Sequence, residues 1–125
     1  MAGRFVRASK YRHVFGAPAK KTGCFEQLRI TKSPIENFFV AINAKFVALC
    51  IDAGGGGAFV VMPHDKTGRQ EVNAPRVCAH EQDVLDLAWN PFNDQVIASS
   101  SEDGSIKIWE IPENGLVTNL TTPLL

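Results

Sequence analysis

Short apolar runs separated by turn-forming residues organise the chain from residue 36 onward. Phe38-Phe39-Val40-Ala41-Ile42, Phe46-Val47-Ala48-Leu49-Cys50-Ile51 and Ala58-Phe59-Val60-Val61-Met62 are rich in β-branched and aromatic residues. Asn43-Ala44 separates the first pair, and residues 52–57 separate the second. Runs of this length between turn residues predict strands buried on both faces or nearly so. A weaker strand is predicted over 72–78. The pattern then recurs in Val84-Leu85-Asp86-Leu87-Ala88-Trp89, Val96-Ile97-Ala98-Ser99-Ser100 and Ile106-Lys107-Ile108-Trp109. Asn90-Pro91-Phe92-Asn93-Asp94 and Glu102-Asp103-Gly104 split these runs. Ile106, Ile108 and Glu110 alternate with Lys107 and Trp109 at the period of a strand, and Asp103-Gly104 is a hairpin-turn dipeptide.

The stretch before Ser33 has a different texture. Basic residues mix with Phe5, Val6, Tyr11, Val14 and Phe15, and Gly16, Pro18 and Gly23 follow before Phe25. This reads as an arm followed by one short strand over Phe25–Thr31, with Phe25, Leu28 and Ile30 apolar. Beyond it lie two units of about 40 residues, each with three or four strands, which is the length and content of β-propeller blades. The fold class predicted is therefore all-β.

Composition narrows the function classes. At 125 residues, with 45% hydrophobic and 21% charged residues, the chain is too short for a large multidomain enzyme and too ordinary for a disordered or fibrous chain. The 13 basic and 13 acidic groups cancel, but unevenly. Residues 1–32 carry a net +7 and residues 33–125 a net −7, which suggests a basic arm that meets an anionic partner. No apolar run of signal-peptide length opens the chain and no stretch reaches the roughly 18 apolar residues of a membrane span, so neither secretion nor a transmembrane segment is expected. Cys24, Cys50 and Cys78 are odd in number and contain no C-x-x-C pair. They suggest neither a disulfide framework nor a zinc site, but reduced, partly buried thiols in a cytosolic protein.

Two segments imitate enzymatic motifs. The glycines at 54–57 lack a following Lys-Ser/Thr at phosphate-loop spacing and lack a helix pattern, so they read as a turn between strands. Asp65-Lys66-Thr67-Gly68 spells the start of the aspartyl-phosphate motif of cation-pumping ATPases, but Arg69-Gln70 departs from its continuation, and a polar turn is the reading. His13 and His64 read as surface or turn residues. No catalytic residue, metal site or cofactor is expected.

The second unit resembles a WD repeat. Ala79-His80 stands where that family has Gly-His, Asp103 where it has a turn aspartate, and Trp109-Glu110 where it has Trp-Asp. A buried network of carboxylate, imidazole, hydroxyl and indole N–H would pin the outer strand to the inner ones with every polar group satisfied. Its predicted members are His80, Asp103 and Trp109, with Ser99, Ser100 or Ser101 as the hydroxyl. The strand pattern explains His80 and Asp103 better than a catalytic pair does.

Further segments sharpen the resemblance. Arg7-Ala8-Ser9-Lys10-Tyr11-Arg12-His13-Val14-Phe15-Gly16 is similar to the N-terminal signature of coronins, actin-binding WD-repeat propeller proteins. So are Gly55-Gly56-Gly57-Ala58-Phe59, Lys66-Thr67-Gly68-Arg69, Ile97-Ala98-Ser99 and Ile111-Pro112-Glu113-Asn114-Gly115-Leu116, in the family's order. The resemblance implies two blades of a seven-blade ring plus an N-terminal closing strand that supplies the outer strand of the last blade. The units expected are a basic arm and closing strand over 1–35, a divergent first blade over 36–78, a WD-repeat blade over 79–111 and a connector to a missing next blade over 112–125. The other blades and the C-terminal coiled coil are absent, so the closing strand is expected to lack its native partner, and the chain to lack that oligomerisation element.

Arg29 matches the basic position that coronins use against filamentous actin, and Lys20, Lys21 and Lys32 are expected to join it. The implied function is non-catalytic binding of actin filaments and regulation of cytoskeletal dynamics, in the cytoplasm, actin cytoskeleton and cell cortex. Actin-nucleation and severing factors are further expected partners, with phosphoinositide head groups a minor one. Nucleic acid is not expected, because the isoelectric point is about 6.8 and no binding motif accompanies the arm. The alternative is a general WD-repeat scaffold that binds a peptide or adaptor protein without actin contact. Two blades cannot close a ring, so the isolated chain is expected to fold poorly or aggregate.

Overall fold

A computed structural model describes residues 15–32 and 36–125. Most of the Arg7–Gly16 signature and His13 therefore fall outside the described residues. A 3-10 turn at Lys21–Gly23 is followed by nine strands: β1 (Phe25–Glu26), β2 (Val40–Ile42), β3 (Phe46–Ile51), β4 (Ala58–Pro63), β5 (Gly68–Arg69), β6 (Val77–Cys78), β7 (Val84–Trp89), β8 (Val96–Ser101) and β9 (Ile106–Glu110). They form an antiparallel sheet in the order β2-β3-β4-β6, a second in the order β7-β8-β9, and a small parallel pair β1-β5.

Side-chain amides shape the turns. Asn43 Oδ1 accepts from the backbone N–H of Lys45 at 2.9 Å and of Phe46 at 2.7 Å, closing the β2–β3 connection. Asn90 Oδ1 and Asn93 Oδ1 do the same for Phe92 and Gln95 between β7 and β8. Asp103 Oδ1 holds Ser105 N–H at 2.8 Å while Gly104 takes φ 78°, the left-handed conformation that a hairpin turn requires.

Alternation along the strands puts Phe46, Ala48, Cys50, Phe59 and Val61 on one face of the first sheet, and Leu87, Ile97 and Trp109 on one face of the second. These faces meet as a single core. Phe46 stacks on Trp89 with ring centroids 5.8 Å apart, and Trp89 Nε1–H donates across the seam to Ala41 O at 3.1 Å. Asn43 Nδ2 donates to Asp94 O at 2.8 Å, and Asn37 Nδ2 to Leu85 O at the bulge between Val84 and Asp86. Burial of Cys50, and secondarily the Asp86 carboxylate, push its thiol up to about 12, so it is a neutral packing group.

Several sequence expectations are corrected. Burial on both faces holds for β4, but β2 is an edge strand with Val40 47% and Ile42 65% exposed. It begins only at Val40, because Phe39 adopts φ 51° and breaks the extended run. The strand expected over 72–78 shrinks to Val77–Cys78, after a turn in which Ala74 N–H donates to Glu71 O and a Pro75 that has no N–H to give a ladder.

The strand expected over Phe25–Thr31 also breaks, since Gln27 at φ 65° ends β1 after two residues and only Ile30 resumes pairing, as an isolated bridge to Ile51. Ile30, one of the apolar residues of that stretch, is 54% exposed. The segment pairs instead with other parts of the chain. Gly68 N–H donates to Cys24 O, Gln70 N–H to Glu26 O, Asp52 N–H to Arg29 O and Thr31 N–H to Cys50 O. The β5 segment that receives it was not predicted, because two residues inside a polar turn carry no hydrophobic period.

Residues 112–125 do more than connect. Leu120 bridges Val77, and Leu124 and Leu125 exchange backbone hydrogen bonds with Ile108 on the outer edge of β9. A chain returning to the free edge of the second sheet occupies the place that β6 has in the first.

Candidate functional site

The polar groups with defined partners concentrate where the β6–β7 connection, β8 and β9 converge. His80 precedes β7, Ser99 lies mid-β8, Asp103 in the β8–β9 turn and Trp109 in β9, and the strand registers bring them into one line. Trp109 Nε1–H donates to Ser99 Oγ at 2.8 Å, and Ser99 Oγ lies 2.7 Å from His80 Nε2. His80 Nδ1 lies 3.1 Å from both Asp103 Oδ2 and Ser105 Oγ. Asp103 also accepts from the Ser105 hydroxyl and from Glu81 N–H at 3.1 Å.

The directions of these bonds follow from the ends of the chain. An indole N–H can only donate and a carboxylate can only accept. Ser99 therefore receives from Trp109 and donates to Nε2, and the imidazole, neutral and protonated on Nδ1, donates to Asp103. His80 and Ser99 are buried, Trp109 is fully enclosed, and no buried side-chain polar atom among the described residues lacks a partner. Among the described residues no group of three or more His, Cys, Asp or Glu could hold a metal ion.

The structure selects Ser99 from the three candidate serines, because Ser100 points to the other face and Ser101 Oγ donates instead to Gln82 O at 2.9 Å. Ser105, which sequence reasoning missed, joins at the carboxylate. Its signal was present as a hydroxyl two residues after a turn aspartate. Lys107, also missed, donates to Ala79 O at 2.8 Å and anchors the same corner.

Two opposed effects set the electrostatics. Burial lowers the His80 pKa below 6.5, outweighing Asp103, and Lys107 adds to the lowering. The Ser105 hydroxyl, then the Ser105 and Glu81 backbone N–H groups and His80, hold the Asp103 carboxyl well below its ordinary 3.8. Each group binds a proton less readily folded than unfolded, so acidification favours the unfolded chain. Stability is expected to fall as pH drops below about 6.5 through His80, and again below about 3.8 through Asp103. Urea midpoints at pH 7.5 and 5.5 check this: the lower pH should give the lower midpoint, and His80→Gln should shrink the difference.

The glycine loop between β3 and β4 serves the same corner. Gly57 N–H donates to His80 O at 3.2 Å, and Gly56, at φ 130°, also faces that carbonyl. The loop is thus a backbone-to-backbone seam between the two sheets.

The basic residues lie elsewhere. Lys20 and Lys21 open the 3-10 turn, Arg29 follows the break at Gln27, and Lys32 lies past the Ile30 bridge, all exposed. Arg29 is held through its carbonyl, which accepts from Asp52 N–H at 3.0 Å, and the residue is exposed.

Antiparallel blades, the second pinned by a carboxylate–imidazole–hydroxyl–indole chain, define a piece of a WD-repeat β-propeller. The family models agree: one described as WD domain, G-beta repeat, matches residues 74–110, and one described as Domain of unknown function (DUF1899) matches residues 4–69. Coronin-2B of Mus musculus and Coronin-2B of Homo sapiens are each 50% identical to the chain over 119 residues, which is 95% of this chain and 25% of either relative. The crystal structure of the WD40 domain from Toxoplasma gondii coronin superposes with a TM-score of 0.71 at 28% identity, over 78% of this chain and 25% of that one. The DUF1899 model spans more than half of the chain, which belongs to that family and, with these relatives, to the coronins. It corresponds to their N-terminal portion and spans about a quarter of the length of the curated relatives it matches.

Proposed function

We propose that this chain is part of a non-catalytic protein that binds actin filaments and regulates their turnover in the cytoplasm and cell cortex. The observation that carries the reading is the exposed Arg29, on a segment clamped to the first blade, in a chain half identical to Coronin-2B. Lys20, Lys21 and Lys32 supply further exposed positive charge on the same segment. Such charge attracts an acidic filament surface, raises the encounter rate and loses strength with salt. Actin-nucleation and severing factors are the proposed further partners, and phosphoinositide head groups a weaker one.

Cosedimentation of the full-length polypeptide with actin filaments across a salt series tests this. Arg29→Glu is expected to weaken binding roughly tenfold at low salt and less at high salt. Undiminished binding by Arg29→Glu would remove Arg29 from the interface, and no binding by the parent polypeptide would overturn the actin reading itself.

A further inference from the structure

Two clefts of about 370 and 420 Å³ lie side by side on the first blade, sharing Leu28, Val60, Glu71 and Ala74 as walls. They open where β6 stops, since β6 covers only Ala58 and Phe59 of β4. From Val60 onward the outer side of β4 carries no strand among the described residues. The floor is apolar, built from Val60, Met62, Pro75 and Leu116. The rims are not: Lys66 and Arg69 flank the smaller cleft, and Arg29 and Arg76 the larger, against Asp52 and Glu71.

Among the described residues none of those four cations is held in an ion pair, and they outnumber the two carboxylates. The ion pairs among the described residues are Lys45–Glu113 and His80–Asp103, and neither involves the clefts. Lys66 Nζ and Arg69 Nε donate to neutral oxygens, Asn114 O at 3.4 Å and Gln27 Oε1 at 2.6 Å, while Asp52 is engaged by Gly54 N–H at 3.3 Å. We propose that this double cleft docks an extended acidic segment of a partner protein, with one aliphatic side chain seated on the apolar floor and flanking carboxylates meeting the two cationic rims. A bare polyanion would leave the floor wet, and a purely apolar peptide would desolvate four charges without compensation. An extended conformation suits a strand edge that ends short of its neighbour. This proposal does not rest on the actin reading. Arg29 is common to both, so the test leaves it intact.

The test is fluorescence anisotropy of a labelled synthetic peptide, one leucine flanked on each side by two glutamates, titrated with the full-length polypeptide. Binding is expected to weaken with salt, to drop about fivefold when glycine replaces the leucine, and to vanish when lysines replace the glutamates. Arg69→Glu and Arg76→Glu should each weaken it about tenfold, and Glu71→Lys should tighten it. No binding would overturn the proposal, the clefts then being covered by the rest of the polypeptide. Equal binding of the glycine peptide would reduce the effect to charge attraction and also overturn it, as would unchanged affinity in all three variants. Actin cosedimentation of the same variants should match the parent, so failure here and failure of the actin reading are read separately.

Discussion

Trp109→Ala is expected to cost about 3–5 kcal/mol, a large part of the 5–15 kcal/mol by which domains are ordinarily stable. The indole is fully buried, packs edge-on against Phe59 with centroids 6.1 Å apart and a 73° interplanar angle, and lies edge-on to His80 at 6.3 Å. Truncation removes contacts on both sheets and leaves a cavity at the seam between them. It also removes the donor that starts the hydrogen-bond chain, so buried Ser99 Oγ loses its indole partner. Trp109→Phe separates the two effects. It keeps most of the packing and deletes the N–H, so its cost should be about 1–2 kcal/mol. Urea denaturation of the full-length polypeptide reads both as shifts of midpoint at constant slope. Equal shifts for the two variants would mean that the hydrogen bond dominates the packing.

The same residue shows what was legible in the sequence. Trp109, Asp103 and His80 could be placed because the second unit resembles a WD repeat at those positions, and because buried donors and acceptors need matched partners. Choosing Ser99 over its neighbours required the β8–β9 register, which pairs Ser99 with Lys107 and Ile97 with Trp109. A one-residue slip would have put Ser100 in its place. Ser105 and Lys107 escaped notice because their roles depend on how the turn folds back, and polar residues near a turn look like ordinary solvent-facing ones.

The N-terminal segment was legible as a basic strand but not in its geometry. Nothing in Phe25–Thr31 signals that Gln27 takes a left-handed conformation or that Gly68–Arg69 receives β1 in parallel. Parallel pairing of two-residue segments far apart in sequence leaves no local pattern to read. The exposed faces are a further consequence of blade packing. Phe38 (88%) lies exposed just before β2, Val40 and Ile42 within it, and Ile106 (72%) on the opposite face of the second sheet from Trp109. The apolar patterning of those strands matches a blade with neighbours on both sides, which explains why the runs read as doubly buried.

The second large effect is expected at Gly57. Sequence reasoning placed the 54–57 glycines in a turn between strands, and turn glycines are ordinarily explained by positive φ. That reason serves Gly54 and Gly56, at φ 64° and 130°, but Gly57 has no such conformation. Its constraint is space: a Cβ there would overlap the Gln82 carbonyl oxygen and come within 2.8 Å of Val84 N, both backbone atoms of the second blade. Backbone cannot rotate away as a side chain can, so Gly57→Ala must part the seam or bend β7. Either motion strains the Gly57 N–H bond to His80 O and displaces the imidazole from Ser99 and Asp103. The cost should reach about 3 kcal/mol or more, at the upper end of overpacking penalties. Gly55→Ala is the control, since a Cβ at Gly55 meets nothing within 4 Å, and its effect should stay within about 0.5 kcal/mol. Hydrogen exchange gives the sharper readout. Gly57→Ala should speed exchange at Ser99 and Ile108 on the second blade as well as at Ala58 on the first, whereas a purely local strain would confine the change to the 54–58 loop.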